Sequence, residues 1–181
     1  VETNNEIRVL KLRESEEIDR ILAEISSEAG SFCDSIILSY EALVKLNLIF
    51  AKARLAYKMR AAMPKINKDG YTYLKNARHP LINYKTVVPI TVELGKDYNT
   101  LVITGPNTGG KTVTLKTIGL LTLMTMCGLM IPCDDGSQVA IYSSVFADIG
   151  DEQSIEQSLS TFSSHMVNII SILKQADDDS L

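Results

Sequence analysis

The run Gly105-Pro106-Asn107-Thr108-Gly109-Gly110-Lys111-Thr112 carries the clearest chemistry in this chain. It fits G-x-x-x-x-G-K-[ST], the spacing of a phosphate-cradling P-loop. Glycine lets the backbone curl so that successive N–H groups aim at phosphate oxygens, and a helix N-terminus behind them adds partial positive charge. In such a loop Lys111 reaches the β- and γ-phosphates, and the Thr112 hydroxyl ligates Mg²⁺. The expected ligand is a nucleotide. The elements that must position it flank the loop: Leu101-Val102-Ile103-Thr104 reads as a buried strand, and Val113 to Leu123 as a helix.

The 181 residues suffice for one domain, or for a small domain with an appendage. Hydrophobic content is 45% and net charge −4, so no global basic field announces nucleic acid. Cys33, Cys127 and Cys133 form no C-x-x-C pair, which argues against a disulfide framework or zinc site and for a reducing, cytoplasmic setting. The start, Val1-Glu2-Thr3-Asn4-Asn5-Glu6, is polar, unlike a signal peptide, and lacks Met, so the chain reads as an excised piece. The apolar stretch Ile118 to Ile131 is too short to span a bilayer and is broken by Gly119, Thr122, Thr125 and Gly128. It reads as a buried helix, and no membrane partner is expected.

Residues 1–64 read as helical. Ile18, Ile21, Leu22 and Ile25 follow an i, i+3, i+4, i+7 spacing, with Arg13, Glu14, Glu16, Glu17, Asp19 and Arg20 on the other face. Gly30 suits a helix end, Ser31 the next N-cap, and a second helix runs to about Ala62 before Pro64. The expectation is an antiparallel hairpin acting as a lever, arm or dimer element, or simply as packing helices. Arg54, Lys58, Arg60, Lys65 and Lys68 form a modest basic cluster there without an evident aromatic platform, so a solvated face explains it. From Lys65 onward the texture turns α/β. Asn67-Lys68-Asp69-Gly70 and Gly95-Lys96-Asp97 are turns, while Tyr71–Leu74, Val87–Leu94, Val139–Tyr142 and Val145–Ile149 are strand candidates. A final helix begins near Ser160. His79 precedes Pro80 and is read as structural; His165 is read as a packing or surface histidine.

Several stretches together resemble one family. The P-loop with its Pro-Asn and double Gly is similar to that of the MutS mismatch-repair ATPases. Ala77-Arg78-His79-Pro80-Leu81 resembles the R-H-P element that opens their ATPase domain, and Ser160-Thr161-Phe162 resembles their S-T-F signature. Thr114 through Leu121, Phe146 through Ile155, and Phe50-Ala51-Lys52-Ala53-Arg54 resemble the second bacterial branch, MutS-two.

The resemblance implies an α/β fold: an ABC-type P-loop NTPase domain over 65–181, preceded by an all-α helical hairpin or lever over 1–64. It implies ATP and Mg²⁺ as ligands, bound by Gly105, Pro106, Asn107, Thr108, Gly109, Gly110, Lys111 and Thr112, with Val88, beside Val87, flanking the adenine. Ser160 would meet the γ-phosphate of a partner's nucleotide in a homodimer, with Asn107 a second candidate near that phosphate. Asp151, Glu152 and Gln153 are comparable to a Mg²⁺-sensing loop of related ATPases, or form a solvated acidic turn. Branched or mismatched DNA is the implied partner of the parent protein, in mismatch repair or suppression of homologous recombination; ribosomes are a further partner known for this branch. An endonuclease domain is implied outside this chain. The family's later strand ending in Asp–Glu, which helps hold Mg²⁺ and activates water, has no counterpart within residues 1–181. Phe146-Ala147-Asp148 lacks the following Glu and precedes Ser160. Hydrolysis by this piece alone is therefore not expected. The alternative is another ABC-class ATPase, of a transporter or of chromosome maintenance, although Leu159-Ser160-Thr161-Phe162 stands where such proteins carry L-S-G-G-Q.

Overall fold

A computed structural model describes residues 2–106, 109–149 and 158–181, with the side chains of 158–162 and 164 excepted. The chain divides into two compact units, 1–51 and 52–181.

The first unit is helical. α1 (Glu2–Ser31) is followed, after Phe32 alone, by α2 (Cys33–Met59), whose last turns belong to the second unit. The expected helical pair is there, but the reversal between its members is not. One residue cannot turn a chain back on itself. The Phe32 N–H donates to Ala29 O (3.1 Å) and the Ile36 N–H to Phe32 O (2.9 Å), which carries the helical ladder across the junction. Ser31, expected to cap the second helix, instead donates its hydroxyl to Glu28 O at 2.6 Å, within α1. All described residues of this unit are exposed. Arg20 pairs with Glu17 (2.7 Å) and Glu24 (3.0 Å) along the helix, solvent-screened contacts that add little to stability.

The second unit holds the sheet. β1 (Lys65–Asn67), β4 (Gln138–Ala140), β2 (Thr72–Ala77) and β3 (Ile90–Leu94) lie side by side in that order. β1 and β4 are parallel; β2 is antiparallel to β3 and β4. The two predicted turns face each other at the β2–β3 end. Asn67 Oδ1 accepts the Asp69 N–H at 3.1 Å, and Gly95 bends with φ 86° so that its N–H donates to Tyr98 O. A Cβ on Gly95 would stand 2.0 Å from Gly70 O, so close approach as well as positive φ demands glycine there.

α3 (Lys111–Met126) covers the sheet. Leu121, at 0% exposure, packs with Leu74, Ala77, Ile131, Cys133 and Val139 into one apolar core. Burial pushes the Cys133 thiol above its ordinary range, in keeping with an inert packing residue. Among the polar groups inside, Thr72 Oγ1 and Tyr142 Oη share a hydrogen bond of 2.9 Å, and Thr72 Oγ1 also accepts the Ala140 N–H. α4 (Ser158–Gln175) completes the described elements.

Two predicted strands are not formed. Residues 101–104 are not a strand, because a strand needs a hydrogen-bonded neighbour and none lies beside them among the described residues; Val102 is 77% exposed. Residues 145–149 likewise stay outside the sheet. Their neighbourhood pairs instead with the chain's last residues: Ser143 N–H with Asp179 O, Leu181 N–H with Ser144 O, and Phe146 N–H with Leu181 O, all at 2.8–2.9 Å. No helix of the described residues is long and apolar enough to cross a membrane.

Candidate functional site

The helix behind the glycine loop starts two residues earlier than its apolar pattern suggested, at Lys111. Gly110 takes the N-cap position in the left-handed region (φ 78°, ψ 13°), and no side chain caps the helix. Any side chain there would strain the backbone by about 1–2 kcal/mol. A Cβ on Gly105 or Gly110 would meet no atom within 4 Å, so the space over the loop is open. The uncapped first turn of α3 thus presents backbone donors and the positive end of its dipole to that space. Lys111 arches over the loop and donates from Nζ to Gly105 O at 2.6 Å, joining the two ends of the cradle. Thr112 is exposed on the first turn. Gly109 closes a turn onto Pro106 through a 2.9 Å backbone hydrogen bond. These features fit a triphosphate: open space beside Gly105 and Gly110, the N-terminal turn of a helix and a lysine within reach of the rim.

The opposite end of α3 is also held. Lys52 donates from Nζ to Cys127 O (3.2 Å) and Gly128 O (3.3 Å), a cation on the helix's negative end. Arg78 of the R-H-P element is fixed by its N–H to Pro132 O and by its guanidinium to Asn76 O. It lies 5.0 Å from the centre of the Tyr84 ring, and Arg60 lies 4.3 Å from it. The basic cluster therefore does have aromatic company, contrary to expectation: Tyr84 in contact with Arg60, and Tyr57, 89% exposed, beside Lys58. Tyr57 is adjacent to Lys58 in sequence, whereas Tyr84 lies far from Arg60 along the chain and meets it only through the fold. His79 accepts the Leu81 N–H at Nδ1 (3.3 Å), a local turn contact in line with a structural role.

Val88 stands in the loop before β3, 78% exposed. Ser160 is in the first turn of α4, its side chain outside the described residues, as are Asn107, Thr108, Asp151, Glu152 and Gln153. A cavity of about 700 Å³ flanks α3, lined by Leu101, Ile103, Leu115, Ile118, Phe146 and Leu181 among others. It includes none of the described residues of 105–112, so it is a cleft beside the described part of the cradle.

Sequence reading also passed over a polar cluster. Asp148 accepts from Asn168 Nδ2 and pairs with His165 Nδ1, each at 2.8 Å. The Asn168 amide, and after it His165, hold the Asp148 carboxyl below the usual carboxylate range.

Residues 101–181 match the family model described as MutS domain V. The whole chain is 57% identical to a protein named Endonuclease MutS2 from Caldanaerobacter subterraneus subsp. tengcongensis. It is 59% identical to one of that name from Finegoldia magna and 58% to one from Clostridioides difficile. Each alignment takes in 100% of this chain and 23% of the relative. Residues 101–181 are thus similar to MutS domain V, the P-loop ATPase domain of that family, and the chain spans under a quarter of these relatives' length.

Proposed function

We propose that this chain, whose residues 101–181 are MutS domain V, is the ATP-binding segment of a longer MutS2-type ATPase. The observation that carries this reading is the cradle itself: a left-handed Gly110 opening an uncapped α3, with Lys111 bridging to Gly105. Backbone N–H groups of the loop and first turn would hold the α- and β-phosphates, and Lys111 would leave Gly105 O for the β- and γ-oxygens. Thr112 would ligate Mg²⁺, which neutralises phosphate charge when bound. Asn107 and Thr108 complete the motif, and Val88 and Val87 are the residues offered to the adenine. The family resemblance supports the rest: a homodimer in the cytoplasm whose first turn of α4, with Ser160, meets the other copy's γ-phosphate. Such a protein would act on branched or mismatched DNA in repair or in restraint of recombination, and would carry nuclease activity outside residues 1–181.

The test is Mg²⁺-dependent ATP binding and hydrolysis by the full-length protein. Lys111→Ala removes a charge-assisted hydrogen bond of about 1.5–3 kcal/mol, so ATP affinity should fall roughly ten- to a hundred-fold. Unchanged affinity and turnover would reject the role given to Lys111.

A further inference from the structure

α4 is held at two places by one short segment, 143–148. Beyond its C-terminal end, the Ser143 N–H donates to Asp179 O, and Ser143 Oγ donates to Asp177 Oδ1 at 2.9 Å. Phe146 and Ser144 exchange backbone hydrogen bonds with Leu181. Those contacts fix where the helix ends. They leave it able to swing and to roll about its axis, because they all lie past Gln175. The second hold removes that freedom. His165 and Asn168 sit one turn apart on the same helix face, and both reach the same carboxylate, one on each oxygen of Asp148. A carboxylate gripped by two donors a turn apart sets helix rotation as well as position. Each group is partly shielded, with His165 29% and Asp148 24% exposed at the side chain, so water competes only in part. The cluster lies about two to three turns from the start of α4, the turn that carries Ser160.

We propose that Asp148, gripped by His165 and Asn168, is a positioning residue for the ATP site of the partner copy: it sets the angle at which the first turn of α4 is presented. This rests on the reading above in which Ser160 completes the site across the dimer. Positioning errors of an ångström cost rate steeply when the reacting groups are otherwise intact. Among the described residues the clasp makes no hydrogen bond to the cradle of its own chain, so its loss is felt in turnover and not in ATP capture.

The experiment uses the full-length protein and reads amide exchange over residues 158–168 together with steady-state ATP hydrolysis. Asp148→Ala and His165→Ala should each speed exchange several-fold and lower kcat about tenfold, with KM for ATP within about twofold of wild type. His165→Asn places an amide donor where the ring Nδ1 stood and should restore both. The double alanine variant should lose little more than either single one. If Asp148→Ala does not fold, Asn168→Ala, which removes one of the two holds, takes its place. Unchanged exchange overturns the clasp. Faster exchange with wild-type kcat, or a raised KM with kcat intact, overturns its role in presenting α4. Ser160→Ala separates the two layers: wild-type turnover in that variant rejects the composite site itself, while exchange still reports whether the clasp holds the helix.

Discussion

Single atoms decide three features of this protein. The first is Gly110, whose left-handed backbone aims the start of α3 at open space. The second is Gly95, where the constraint is a neighbour: a methyl group would lie 2.0 Å from Gly70 O. Gly95→Ala should cost about 1–3 kcal/mol as the two turns are forced apart. A urea midpoint equal to wild type would contradict that packing. The third is Asp148. Its carboxyl is held below the ordinary range by Asn168 and His165, so it contributes stability that is present above about pH 3.9 and lost as pH falls through its lowered folded value. Exchange protection of α4 should accordingly fall in acid solution below about pH 3.9, and should not respond to acid in this way in Asp148→Ala. The glycines were legible in sequence, since their types and spacing announce the turns. The Asp148 cluster was not, because its members are brought together only by the course of the chain between them.

At the scale of elements, α3 joins both halves of the second unit. Its N-terminus opens the cradle, its middle packs Leu121 into the core, and its C-terminus receives Lys52 from α2. Within it Thr122 is fully buried with a hydroxyl that has no hydrogen-bond partner among the described residues. An unmet buried hydroxyl costs about 1–3 kcal/mol. Thr122→Val keeps the shape and removes that cost, so the thermal midpoint should rise by an amount equivalent to about 1 kcal/mol. A lower midpoint would mean that the hydroxyl is satisfied in solution. The helices were readable from apolar spacing, and β2 and β3 from alternation between turn signals. The segments 101–104 and 145–149 have the same apolar texture and are not strands, because strand formation depends on a partner's free N–H and C=O groups rather than on local composition. Likewise Gly30 and Ser31 look like a helix end and a cap, yet the helical ladder runs past them, since glycine in a helix costs only about 1 kcal/mol and the neighbouring turns supply more.

Across the whole molecule, burial is concentrated in residues 52–181. In residues 1–51 Ile36, Leu38, Tyr40, Leu43 and Phe50 are all more than half exposed. Helices without a core cannot offset the roughly 1–2 kcal/mol per residue lost in ordering the backbone. A peptide of residues 1–51 should therefore show helicity that rises with concentration, followed by circular dichroism and sedimentation. A monomeric, fully helical peptide with a cooperative melt would refute this. By itself the sequence determined the cradle, the R-H-P and S-T-F landmarks and the α/β class, because each depends on residue types at short, regular spacing. Only the tertiary structure decided that α1 runs into α2 without reversal, that Tyr84 contacts two arginines, and that Asp148 meets His165 and Asn168. Those outcomes depend on which distant groups the folded chain brings within bonding distance, and no local pattern encodes that distance.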